Sequence, residues 1–70
     1  VERQQVSSSN IAAIGYDAVS ETLEVEFTNG TIYQYYGIGA QLHEQLMNAP
    51  SKGQFLNANI RNQYAYSRVG

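Results

Sequence analysis

The run Leu23-Glu24-Val25-Glu26-Phe27-Thr28-Asn29-Gly30 leaves few choices for the chain that contains it. Leu23, Val25 and Phe27 alternate with Glu24, Glu26 and Thr28, the two-residue period of a strand with one face buried and one in water. Asn-Gly follows directly, the pair that best tolerates positive φ at both central positions of a type I′ turn. The segment from Thr31 to Tyr36 then returns as a second strand. A two-residue loop fixes the pairing. Phe27 falls opposite Ile32, Val25 opposite Gln34 and Leu23 opposite Tyr36. Glu26 then opposes Tyr33, and Glu24 opposes Tyr35. Both tyrosines are expected on the face away from Leu23, Val25 and Phe27.

Ile11 to Tyr16 reads as a preceding strand. A four-residue loop, Ala18 to Glu21, puts Tyr16 opposite Leu23 and Ile14 opposite Val25, so the two hairpins share one apolar face. Gly37-Ile38-Gly39 breaks the alternation, and Ile38, Leu42, Leu46 and Ala49 recur at helical spacing. That predicts a helix from about Ala40 to Asn48, ended by Pro50, because the residue before a proline avoids the α region. Ser51-Lys52-Gly53-Gln54 reads as a capping box opening a second helix, with Pro50 and Phe55 placed for a hydrophobic staple. Gly53, Leu56, Ile60 and Tyr64 fall on its apolar face. Tyr64 to Arg68 alternates as a short fourth strand or an extended tail. The expected fold is α+β: a three-stranded antiparallel β-meander with two α-helices packed on one face, in one domain spanning residues 1–70.

Composition narrows the function classes. A chain of 70 residues buries only about 60% of its unfolded surface and needs a compact core or a partner. It has no cysteine to form a disulfide or a thiolate metal site, which fits a cytoplasmic protein. No apolar run reaches the roughly 18 residues of a membrane helix, and the start, Val1 to Gln5, is too polar for a signal peptide. The net charge of −2 argues against a binder driven by phosphate attraction alone. The charge is uneven, however. Glu2, Asp17, Glu21, Glu24 and Glu26 outweigh Arg3 in the first half, and Lys52, Arg61 and Arg68 outweigh Glu44 in the second.

Catalysis has little support. His43 is the only histidine and lies on a polar stretch where solvent exposure is expected. Glu24 and Glu26 share an exposed strand face, and a flat meander offers no cleft for a carboxylate pair. No zinc spacing, nucleophile elbow or phosphate loop occurs. No catalytic residue, metal ligand or cofactor is expected.

Two constellations suit binding. Tyr33 and Tyr35, on a sheet face, match the aromatic platforms on which bases stack, although Glu24 and Glu26 across the hairpin would repel phosphate. Ser51, Lys52 and Gly53 open a helix whose N-terminus favours anions, with Asn57, Arg61, Tyr66 and Arg68 extending a mildly basic surface. The plainer alternatives are cross-strand Tyr–Glu contacts that only stabilise the hairpin, and an ordinary cap with a packed glycine.

Several segments taken in order carry a family resemblance. They are Ser8-Ser9-Asn10-Ile11, Gly15-Tyr16-Asp17, Leu23 to Phe27 before Asn29-Gly30, Tyr33-Gln34-Tyr35, Ala49 to Gly53, Phe55-Leu56-Asn57, and Ile60-Arg61 with Tyr64. With them the chain resembles the KTSC domain family, named for its place at the C-terminus of some lysyl-tRNA synthetases. The family also occurs as small stand-alone bacterial and phage proteins. One departure is Gly39, near where the family pattern has a proline. The resemblance implies an RNA-related context and brings no catalytic residue with it. The expected function is a non-enzymatic module binding RNA (tRNA or single-stranded) or a nucleotide. The alternative is a protein-interaction or self-assembly module, favoured by the acidic charge and the many tyrosines.

Overall fold

A computed structural model describes residues 3–5 and 10–70. The Ser8-Ser9 part of the resemblance lies outside the described residues. Leu23 and Val25 are fully buried, as their alternation requires, and sit on the central strand of an antiparallel sheet. The strands are β1 (Arg3–Gln5), β2 (Ile11–Asp17), β3 (Thr22–Phe27), β4 (Ile32–Tyr36) and β5 (Tyr66–Arg68). Their spatial order is their chain order. The helices α1 (Ala40–Met47) and α2 (Lys52–Asn59) follow β4. The fold is α+β as expected, and the meander is extended by one strand at each edge. β5 realises the alternating C-terminal segment. β1 is an addition: its Arg-Gln-Gln sequence has no apolar alternation to announce a strand.

The first hairpin pairs as expected, with Tyr16 opposite Leu23 and Ile14 opposite Val25. A bulge between Ile11 and Ala13 shifts the start of β2.

The second hairpin departs from the expected pairing. Leu23 faces Tyr35, Val25 faces Tyr33 and Glu24 faces Gln34. The reason lies in the turn. A type I′ turn needs positive φ at both central residues. Gly30 has φ +89°, but Asn29 is not among the described residues with positive φ. The Gly30 N–H donates to Phe27 O at 3.0 Å, closing a type I turn over Thr28 and Asn29, and the Phe27 N–H donates to Thr31 O at 2.8 Å. The loop therefore holds three residues, with Gly30 forming the bulge that such loops carry. The Asn29 side chain accepts from the Thr31 N–H at 3.0 Å and steadies it. One extra loop residue moves every β4 side chain to the opposite face. Tyr33 and Tyr35 thus lie on the core side with Val25 and Leu23, contrary to the exposed platform expected.

The far face gains what the core side loses. Gln34 Nε2 donates to Glu24 at 2.9 Å. Arg3 on β1 reaches Glu24 at 3.4 Å and Glu26 at 3.8 Å. Gly15 stands between Arg3 and Glu24 in the cross-strand row and has no side chain to block them.

Deleting Thr28 tests the turn. Phe27 and Thr31 would then flank Asn29-Gly30 directly, which is the two-residue loop that Asn-Gly favours. The pairing of Glu24 with Gln34 should survive, read as cross-strand NMR contacts. Stability should change by no more than about 1.5 kcal/mol, the worth of one lost hydrogen bond, that of the Thr28 N–H to Asn10 O. A parent in which Glu24 lies opposite Tyr35, with the deletion moving it opposite Gln34, would contradict the three-residue loop.

The helices cover the Leu23–Val25 face. The core joins Ile11, Ile14, Leu23, Val25 and Tyr35 from the sheet to Ile38, Leu46, Leu56 and Ile60. Ser51 caps α2, its side chain accepting from the Gln54 N–H at 3.4 Å. The return bond from the Gln54 side chain that would complete a capping box is not made among the described residues.

Candidate functional site

His43 is half-buried, not exposed as expected. Its ring stacks on Tyr16 with centroids 4.4 Å apart and planes 8° from parallel. The Tyr16 hydroxyl in turn donates to Ile38 O at 2.7 Å. Burial, then Glu21 and Asp17, raise the Tyr16 pKa. Burial lowers that of His43 below its usual 6.5, so the fold favours the neutral imidazole. On acidification the unfolded chain takes up this proton first. Stability is therefore complete above about pH 6.5 and declines below it, until the folded pKa is passed. A urea midpoint should fall between about pH 7 and pH 5.5. His43→Phe, which keeps a stacking ring, should flatten that segment. An unchanged slope would assign the titration to another group. Among the described residues, no three His, Cys, Asp or Glu side chains cluster to hold a metal ion.

A concavity lies on the helix side of the sheet. A cleft of about 330 Å³ opens between β4, β5 and α2 and extends to the β3–β4 turn. The meander was expected to be flat; the register shift and the docking of α2 make the cleft. Its aromatic side is a contiguous group. Phe27 and Tyr33 meet edge to face at 5.8 Å, and Tyr33 and Tyr66 at 5.7 Å. Tyr35 and Tyr66 are tilted at 5.8 Å. Such pairs contribute about 0.5–1.5 kcal/mol each beyond their buried area. Tyr35 is the floor, only 2% exposed, and Tyr66 is the rim, 56% exposed.

The Tyr35 hydroxyl makes no hydrogen bond among the described residues, yet it is not sealed away as a buried orphan. It opens on the cleft. Its pKa is raised, chiefly by burial, against the opposing pull of the Arg61 guanidinium, with Tyr33 and Tyr66 adding to the rise. At neutral pH it is a protonated hydroxyl. The opposite side is polar. Arg61 Nη1 donates to Asn57 Oδ1 at 3.2 Å across one turn. Gly53 is buried where a Cβ would collide with the Asn10 carboxamide, so glycine there gives Asn10 its place at the cleft.

Of the residues singled out from sequence, Tyr33, Tyr35, Gly53, Asn57, Arg61 and Tyr66 line this cleft. Ser51, Lys52 and Arg68 do not. Ser51 caps its helix, Lys52 Nζ donates to Ala49 O at 3.4 Å, and Arg68 Nε donates to Gly70 O at 3.1 Å. Asn10, Thr28 and Asn29 also line it; they sit at strand ends, and their signals in the sequence are for the turn and the family, not for binding. Glu24 and Glu26, expected across from the tyrosines, occupy the far face with Arg3. The electrostatic objection to a phosphate near the rings falls with the corrected register.

Comparison with known proteins places the chain. The sequence model of the KTSC domain matches residues 7–64. A lysine–tRNA ligase of Nostoc is 39% identical over 61 residues, covering 87% of this chain but 11% of the ligase. The chain thus spans about a tenth of the length of that relative. An uncharacterized protein of Stutzerimonas stutzeri is 33% identical over 70 residues, with 99% of each covered. The crystal structure of a KTSC domain protein from Yersinia pestis superimposes with a TM-score of 0.95 at 39% identity, covering 99% of this chain and 97% of that one.

Proposed function

The chain belongs to the KTSC domain family, and from that premise we propose that it is a non-enzymatic binding module for RNA or a nucleotide-bearing partner, acting in the cytoplasm. The observation that carries this reading is the cleft itself. It is walled by tyrosine rings on one side and by Asn57 and Arg61 on the other. Aromatic walls stack bases of any sequence, and each stacked base is worth about 1–3 kcal/mol. The occurrence of a similar segment in lysine–tRNA ligases supports an RNA context.

The test is an NMR titration with tRNA and with short single-stranded oligoribonucleotides. Shifts are expected at Tyr33, Tyr35, Asn57, Arg61 and Tyr66. Tyr66→Ala with Arg61→Ala changes only exposed side chains and should weaken binding at least about tenfold. Among the described residues Arg61 is the one cation lining the cleft, so log affinity should fall with log salt at a slope near −0.7, the single-strand value for one phosphate. No shift at millimolar RNA, or shifts elsewhere that the double variant leaves unchanged, would overturn the reading.

A second reading has one specific support. β5 is an edge strand, flanked by Val69 at 51% exposure, and an edge with apolar neighbours is a site for strand pairing with another chain. Self-association through it would appear as a mass that rises with concentration in light scattering. A constant monomer mass would count against it.

A further inference from the structure

Resting on the RNA reading of the same cleft, we propose that the cleft takes one unstacked nucleobase. The base lies against Tyr66, its edge meets the Tyr35 hydroxyl and the carboxamides of Asn10 and Asn57, and its phosphate rests at Arg61. Four observations carry this. The first is size: about 330 Å³ is at the small end of the roughly 300–1,000 Å³ of ligand pockets, which suits one base and excludes a duplex, whose base edges are already paired.

The second is Tyr35. Its ring is buried to the last few per cent, yet its hydroxyl has no partner among the described residues and opens on the cleft. A hydroxyl held at the cleft wall with no partner among the described residues stands ready to bond a ligand atom. The third is the chemistry of the carboxamides. Asn57 Oδ1 accepts from Arg61, which leaves its amide hydrogens to donate. The Asn10 carboxamide makes no hydrogen bond among the described residues and offers both donors and an acceptor. Base edges carry donors and acceptors side by side and answer such a set, whereas a bare phosphate carries acceptors only. The fourth is charge: the single guanidinium at the cleft among the described residues suits a single phosphate.

Binding therefore needs the base, and mononucleotides should suffice. The experiment compares the four nucleoside monophosphates, a nucleoside, ribose 5-phosphate and inorganic phosphate with a short RNA oligonucleotide, by saturable NMR shifts at the cleft. The monophosphates are expected to bind, the nucleoside more weakly, and the two base-free phosphates not at all. Tyr35→Phe keeps the ring and should weaken monophosphates about three- to tenfold, the worth of one hydrogen bond. Arg61→Gln should bring the monophosphate down to the affinity of its nucleoside. If the oligonucleotide binds at the cleft while no monophosphate does, or Tyr35→Phe binds like the parent, the single-base site is overturned and the RNA reading stands. Equal binding of ribose 5-phosphate also overturns the single-base site. If nothing binds, both fall.

Discussion

Replacing Tyr35 with alanine should remove a large share of the stability of the fold. The ring is 2% exposed and belongs to the buried core with Leu23, Val25 and Ile60. Truncating a buried aromatic to alanine costs about 3–5 kcal/mol, because transfer energy and packing are lost together. A chain of this length has roughly 4–10 kcal/mol of total stability. The loss is therefore comparable with the lower part of that range. In a thermal melt the midpoint should drop by more than about 12 °C. Tyr35→Phe should stay within about 1 kcal/mol of the parent, since it removes only a hydroxyl that makes no internal bond. Had the tyrosine stood on the outer face, alanine there would cost a fraction of this. A midpoint shift of only a few degrees in Tyr35→Ala would thus contradict the three-residue turn.

The second large effect is local in character. Leu46 is the one fully buried residue of α1 and is completely inaccessible. Eight residues are too few for a helix to persist in water without tertiary support, and α1 has no side-chain N-cap. Leu46→Ala should cost about 2–5 kcal/mol. Much of that should appear as detachment of α1, leaving the sheet folded. The measurement is amide hydrogen exchange, which resolves such openings. The His43 and Asn48 amides, bonded to Gly39 O and Glu44 O, should lose most of their protection. Amides of β3 should keep theirs to a larger degree. Uniform loss across both elements would mean that α1 opens only with the whole fold.

The elements of this protein were largely legible in its sequence, and the register of one hairpin was not. β3 announces itself because Leu23, Val25 and Phe27 alternate with charges that cannot be buried. Both helices follow from apolar spacing, Pro50 and the Ser51 cap. Asn29-Gly30 is ambiguous, because the pair serves a two-residue loop and equally the end of a three-residue one. The β4 sequence does not settle it by hydrophobicity, since tyrosines sit well on either face. Gln34 holds the missing signal. The two-residue register would press its carboxamide against Val25 in the core, at the cost of an unpaired buried amide. The observed register sends it out to Glu24. β1 was silent because a polar edge strand has no alternation to read. The cleft depended on that same register and on where α2 docks, so its tyrosines and Arg61 could be named from sequence while their convergence could not. Asn10 joins them only because Gly53 leaves room.

β5 has a consequence for how tightly anything can be held. It is three residues long, exposed throughout, and it carries the Tyr66 rim of the cleft. The backbone bonds of Val69 and Gly70 to Ile32 continue its docking past Arg68. A site with one wall on such a strand exists only while the strand is docked, so the observed dissociation constant is the intrinsic one divided by the docked fraction. Occupancy and docking then reinforce each other: a ligand closes the edge of the sheet, and a substitution that tightens β5 without touching the cleft raises affinity.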